Sequence, residues 1–166
     1  MKVGIVGYGF VGKALENGID DSVSTLKIDP KLNNSIKDLV PFQPNIIFIC
    51  VPTPLCEDLS LDASIVHSVV DEILEYNIDC LIVLKSTILP NHLEKISQRL
   101  NRFIYNPEFL REKHANEDFL NSNLIVFGGD QKDIDEIKDF YIERTKCICK
   151  TYVETDLVTA SLIKYT

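Results

Sequence analysis

Three groups of residues in this 166-residue chain have the types and spacing to do chemistry. Gly7-Tyr8-Gly9-Phe10-Val11-Gly12 fits G-x-G-x-x-G, directly after a short apolar run and at the opening of a helical pattern. In that setting the first glycine permits a tight turn and the second lets the backbone approach a pyrophosphate. The third lets helix and strand pack closely, and the helix start offers free N–H groups to the phosphates. Asp29 lies 20 residues beyond Gly9, at the end of the second expected strand. A carboxylate there bonds both ribose hydroxyls and repels a 2′-phosphate, which favours NAD over NADP.

The second group is Asn106-Pro107-Glu108-Phe109-Leu110-Arg111-Glu112. Asn106 is a good helix N-cap, Pro107 suits the first helical position, and Glu108 then sits where the helix dipole favours a carboxylate. A helix from this point puts Glu108 and Glu112 on one face with Arg111 alongside. A solvated helix start and a substrate-facing cluster both fit that pattern. The third group sits where expected strands end: Val51-Pro52-Thr53-Pro54, a stiff loop able to wall the nicotinamide side, and Lys85-Ser86-Thr87. Hydroxyls at strand ends are also ordinary helix caps. Here, however, three successive strand ends carry polar groups on the side where an open parallel sheet binds its ligands.

The elements that position these groups alternate along the chain. Strands are expected at Lys2–Val6, Val23–Ile28, Asn45–Val51, Cys80–Leu84, Arg102–Tyr105, Leu124–Phe127 and Cys147–Tyr152. Helical spacing marks Phe10–Asn17, a turn at Ile36–Leu39, a helix from the Asp62 cap to Tyr76, and helices at Asn91–Leu100, Asp133–Arg144 and Thr155–Thr166. Asn45–Val51 is apolar throughout, as in a strand covered on both faces, and Pro52 stops it. The expected fold is α/β: a Rossmann-like, doubly wound, mostly parallel sheet with helices on both faces.

Composition narrows the function classes. The net charge of −8 argues against binding nucleic acid or an anionic membrane through bulk charge. An anionic small ligand would need local cations, and Lys85, Arg111, Lys113 and Lys164 are the candidates. No apolar run approaches the roughly 18–20 residues of a membrane span, and the start shows no signal-peptide pattern, so a cytoplasmic protein is expected. Cys50, Cys56, Cys80, Cys147 and Cys149 are odd in number and irregularly spaced. They read as reduced thiols, and no metal site is expected.

Gly7–Gly12, Cys50-Val51-Pro52-Thr53-Pro54, Ser86-Thr87 and Asn106–Glu112 occur in the order found in a known family. Together they resemble the N-terminal NAD-binding domain of the UDP-glucose/GDP-mannose 6-dehydrogenases, and the similarity runs to the last helix. The resemblance implies an NAD-dependent enzyme that oxidises the C6 alcohol of a nucleotide sugar, UDP-glucose foremost, twice to a uronate. A cysteine thiol traps the intermediate aldehyde.

Carried onto this chain, the resemblance gives Thr87 a part in holding the reactive water and Glu108 a part in water or proton handling. Glu112 stands beside cofactor and substrate, Phe109-Leu110-Arg111 line the sugar, and Lys164 stabilises the oxyanion. Residues 1–153 would be the NAD-binding domain and 154–166 the start of a central connecting helix, through which family members form homodimers. None of the five cysteines sits in a nucleophile context, and the last helix lacks a stop signal. The chain is therefore expected to be the front part of a longer protein, inactive alone. There are departures: Ile88-Leu89-Pro90-Asn91-His92 replaces a glycine-bearing stretch, and Lys113-His114 follows Glu112 where many members have glycine. The alternatives are a degenerate NAD-binding module without catalysis and, more weakly, a hydroxyacid or phosphogluconate type of dehydrogenase.

Overall fold

The structure, a computed structural model, describes all 166 residues. Its strands are β1 (Lys2–Val6), β2 (Ser24–Ile28), β3 (Ile46–Ile49), β4 (Leu81–Leu84), β5 (Phe103–Tyr105), β6 (Ile125–Gly129) and β7 (Tyr152–Thr155). The helices are α1 (Phe10–Gly18), α2 (Leu39–Phe42), α3 (Ser64–Glu75), α4 (Pro90–Ser97), α5 (Ala115–Leu120), α6 (Gln131–Arg144) and α7 (Leu157–Tyr165). The seven strands form one sheet in the order β2-β1-β3-β4-β5-β6-β7. Every pairing is parallel except β5 with β6. This is the doubly wound Rossmann-like sheet expected from the sequence.

The apolar strands are explained by cover on both faces. Ile47, Ile49, Ile82 and Leu84 pack on one side with Val66, Val70 and Ile73 of α3 and Leu93 and Ile96 of α4. Ile46, Phe48, Leu81 and Val83 pack on the other with Leu15 of α1 and Ile134, Ile137 and Phe140 of α6. Period-2 alternation sends neighbouring residues to opposite cores, so no position in β3 or β4 is left for a polar side chain. From β1 the chain goes to β2 on one side and then to β3 on the other. The crevice at this reversal, above the carboxyl ends of β1 and β3, is where such sheets bind ligands.

Three local expectations fail. The helix expected from Asn106 is absent: 106–111 is irregular, a 3-10 turn spans Glu112–His114, and α5 starts at Ala115. The Asn106 N–H donates to Leu84 O, 2.9 Å, so strand pairing runs past β5. Proline's fixed φ suits that path as well as a helix start. The strand expected to end at Phe127 continues through Gly128 and Gly129, which pair with Tyr105 and Ile104. The last strand is Tyr152–Thr155 rather than Cys147–Tyr152. Residues 146–148 spend their N–H groups elsewhere: Lys146 donates to Gly18 O and Ile148 to Leu120 O.

Candidate cofactor cleft

The glycine loop joins β1 to α1. Gly7 has φ +92°, and a Cβ there would lie 2.7 Å from backbone atoms of Cys50 and Val51. A Cβ on Gly12 would lie 2.2 Å from Gly7 O, so α1 can leave the loop this tightly only from glycine. Gly9 differs: a Cβ there would meet nothing within 4 Å. Its bareness leaves open space at the N-terminus of α1, room for an anionic group to approach the backbone. No side chain caps α1 and its first turn has no acid, which leaves its N–H groups and positive dipole end for an anion.

Asp29 ends β2 beside this loop. Its Oδ2 accepts from Tyr8 N at 2.8 Å and its Oδ1 from Lys31 N at 2.9 Å. These two backbone bonds hold the carboxyl below the usual carboxylate range. Asp29 is thus fixed and ionised, as a ribose diol requires. The Tyr8 side chain turns away, its hydroxyl donating to Glu16, which pairs with Lys27 at 2.8 Å.

A cleft of about 530 Å³ runs from Asp29 past Gly7, Gly9, Phe10 and Val11 to the ends of β3 and β4. Its far end is walled by Val51, Pro52, Thr53, Ser86 and Thr87, and Glu108 closes it. The two walls are stapled: Ser86 Oγ donates to Val51 O at 2.6 Å and Thr53 Oγ1 to Thr87 O at 2.7 Å. A dinucleotide with its pyrophosphate at Gly9 and its adenosine ribose at Asp29 directs the other base to this far end.

A second cavity, about 700 Å³, adjoins the first, and Lys85 and Glu108 line both. Phe109, Leu110 and Arg111 also line it. Glu108 Oε2 accepts from Leu110 N at 2.6 Å. Lys164 lies on α7, its Nζ 3.5 Å from Glu108 Oε1 and 5.2 Å from the centre of the Phe109 ring. Arg111 is spent on Asp118, with Nη2 2.7 Å from Oδ1 and Nε 3.0 Å from Oδ2. Those bonds hold the Asp118 carboxyl down at about 2.

Most expected site residues converge, and some do not. Glu112 is exposed at the start of the 3-10 turn and lines neither cavity. With no helix at 106–112, it does not share a face with Glu108. Tyr8 contributes its backbone, Gly12 supports the loop from beneath, and Pro54 lies outside the lining. His114 is exposed and pairs with Glu117 at 3.6 Å.

Lys85 is not a surface cation. It is 4% exposed, with Nζ 2.9 Å from Asn106 Oδ1 and 3.2 Å from Tyr141 Oη. Asn106, read above as a helix cap, is instead the hub of this network. It accepts from Lys85 and Tyr141 and donates to Val126 O at 2.9 Å. Position 85 directly follows a fully apolar strand, and that was the one available sign of its burial; nothing in the sequence pointed to Tyr141.

Sheet order, glycine cradle and ribose acid together define a dinucleotide-binding domain of Rossmann type. The chain belongs to the UDP-glucose/GDP-mannose dehydrogenase family: residues 13–144 match the model of that family's NAD binding domain. The glycine loop precedes the matched span.

Among similar proteins, the UDP-glucose 6-dehydrogenase of Rickettsia bellii is 42% identical over 127 residues, covering 72% of this chain and 29% of that protein. The putative UDP-glucose 6-dehydrogenase YtcA of Bacillus subtilis is 30% identical over 211 positions, covering 99% of this chain and 48% of its own length. A solved UDP-glucose dehydrogenase from Pyrobaculum islandicum superposes with a TM-score of 0.78 at 24% identity, over 99% of this chain and 48% of that one, and supports the fold. The chain thus spans less than half the length of these relatives. The cofactor is NAD, and the residues above fit it. No helix is long and apolar enough to cross a membrane.

Proposed function

We propose that this chain is the cofactor-binding part of a nucleotide-sugar 6-dehydrogenase acting on UDP-glucose or a close analogue. The observation that supports this most is Glu108. It stands between the cofactor cleft and the adjoining cavity, with the Lys164 ammonium against it. NAD, when bound, supplies the hydride acceptor at the far end of the cleft. The chain's own groups supply the rest. Glu108 is placed to take a proton from a group in the second cavity, directly or through a water. Thr87, on the stapled wall, is within the same end of the cleft and can orient that water. Lys164 offers positive charge where an alkoxide would form. Phe109, Leu110 and Arg111 line the space for the sugar.

The thiol that such a reaction needs is not among the five cysteines in reach. Cys50 and Cys80 are buried, and burial pushes both thiols up to about 12. Cys56 is exposed on the loop after β3, and Cys56, Cys147 and Cys149 line neither cavity. The nucleophile, the base-reading residues and any pairing of copies along α7, where Leu162 and Tyr165 are half exposed, belong to this same proposal.

The test is a chimera in which this chain replaces the matching N-terminal part of the R. bellii relative. UDP-glucose-dependent NADH formation, abolished by Glu108→Gln, is the expected result. A chimera that binds NAD by calorimetry but forms no NADH would instead favour a binding module without catalysis.

A further inference from the structure

We propose that Lys85, Asn106 and Tyr141 act as positioning residues for Glu108. The lysine and the tyrosine lock the Asn106 side chain, and Asn106 sets where the chain leaves the sheet to place the Glu108 carboxylate between the two cavities. This rests on Glu108 being the proton acceptor of the site.

Asn106 is 1% exposed and is tied to its surroundings on several sides. Its N–H donates to Leu84 O on β4 at 2.9 Å, and its Nδ2 to Val126 O on β6 at 2.9 Å. Its Oδ1 accepts from Lys85 Nζ at 2.9 Å and from Tyr141 Oη at 2.6 Å. Backbone pairing of β5 with β6 ends at Tyr105 and Gly128, so the Asn106 side chain carries that connection past the last paired residue. Pro107 has no N–H with which to continue it. Only Pro107 therefore separates Glu108 from the last residue fixed in the sheet.

The lysine decides how the network is oriented. An ammonium donates and never accepts, so at 3.2 Å from Tyr141 Oη it turns the phenol proton toward Asn106 Oδ1. A flipped amide would set its NH2 against the ammonium and its oxygen against Val126 O, which leaves one orientation for Asn106. Both donors stand on firm supports. Lys85 N donates to Ile49 O at 2.9 Å, and Tyr141 is 2% exposed among the rings of Phe119, Phe127 and Phe140. Glu108 hydrogen-bonds to none of these three side chains. Its carboxylate is held by Leu110 N at 2.6 Å and by Lys164 Nζ at 3.5 Å, contacts that form only where the backbone presents it to them.

The experiment follows the Leu110 amide proton of the 166-residue chain by NMR. A charge-assisted bond to the Glu108 carboxylate shifts that proton downfield, and Glu108→Ala marks its position without the bond. Tyr141→Phe keeps the ring packing and removes the hydroxyl; Asn106→Asp keeps an acceptor for both donors and removes the donor to Val126. Each is expected to move the Leu110 proton toward its place in Glu108→Ala. A network that only stabilises the fold would lower the unfolding temperature and leave Leu110 where it is, and that result in a folded variant overturns the proposal. In the wild type the backbone order parameter at Glu108 is expected near the rigid value of about 0.85; a value below about 0.6 overturns the proposal even if neither variant folds. In the R. bellii chimera, Tyr141→Phe is expected to lower kcat on the order of tenfold with KM for both substrates unchanged, because a misplaced group weakens the transition state and not the ground-state complex. An unchanged kcat overturns the positioning role. A wild-type chimera that forms no NADH overturns instead the reading of Glu108 as the proton acceptor, whatever Leu110 reports.

Discussion

The ammonium of Lys164 reaches both the carboxylate and the backbone carbonyl of Glu108, so the end of α7 is fastened to the segment that separates the two cavities. Side-chain exposure is 19% for Lys164 and 12% for Glu108, which leaves little solvent to screen the pair. Ser161 adds a second fastening one turn earlier, donating to Ile88 O at 3.0 Å. A double-mutant cycle of Lys164→Met and Glu108→Gln, read by urea unfolding, should give a coupling of about 1 kcal/mol. Additive single effects would mean that the two side chains do not stabilise each other.

Gly9 and Gly12 separate binding from folding. Gly9 has φ −82°, which alanine adopts freely, and a methyl group there enters open space. Gly9→Ala should unfold at the same temperature as wild type, within the usual ±0.5 kcal/mol of a surface change, yet bind NAD at least about tenfold more weakly, because the methyl occupies the place of the pyrophosphate. Gly12→Ala drives its Cβ into Gly7 O and should cost about 3 kcal/mol or more. Melting curves with and without NAD distinguish the two. A Gly9→Ala protein with normal NAD affinity would contradict the placement of the diphosphate.

Why the sequence disclosed the cofactor cleft and misjudged its neighbour is visible in particular residues. Gly7, Gly9, Gly12 and Asp29 lie on one strand-turn-helix-strand unit whose spacing is fixed by local geometry, so a linear pattern reports it. Asn45–Val51, apolar throughout, announced a strand covered on both faces in the same way. Asn106 was different. Its cap-like neighbours Pro107 and Glu108 satisfy a helix start and an extended exit equally well. The choice was made by Leu84, Lys85, Val126 and Tyr141, up to 35 residues away. The same long-range logic buried Lys85 and left Glu112 outside. Tertiary partners decided those positions, and no periodicity records them.

Leu59 is strained without a visible return. It has φ +66° in the turn between Leu55 and Leu61, and its side chain is 77% exposed. A leucine pays for the left-handed region and here gains no burial in exchange. Leu59→Gly should raise stability by about 0.5–1 kcal/mol, part of the relief being offset by the freer unfolded chain. Leu59→Asn should do nearly as well. Thermal unfolding checks both, and a destabilised Leu59→Gly would show that the leucine contacts something in solution.

The one paired cluster of histidines makes stability depend on mild acid. His67 on α3 and His92 on α4 share a ring-nitrogen hydrogen bond of 2.9 Å, which requires one ring to donate and the other to accept. Burial, then the neighbouring His92, lower the pKa of His67. A base whose pKa is lowered on folding favours its neutral form in the native state. Its contribution is therefore complete above the unfolded value near 6.5 and is lost as pH falls from there through the lower folded value. Arg99 and Lys95 add positive charge on the same side, while Asp71 is taken up by Arg99 at 2.6 Å. Because α4 packs against α7, loosening here also slackens the helix that bears Lys164. Chemical denaturation at successive pH values should show stability falling below about pH 6.5 in the wild type. The decline should be shallower in His67→Gln, where an amide can still bond to His92 but does not titrate. Equal declines in the two proteins would place the acid sensitivity elsewhere.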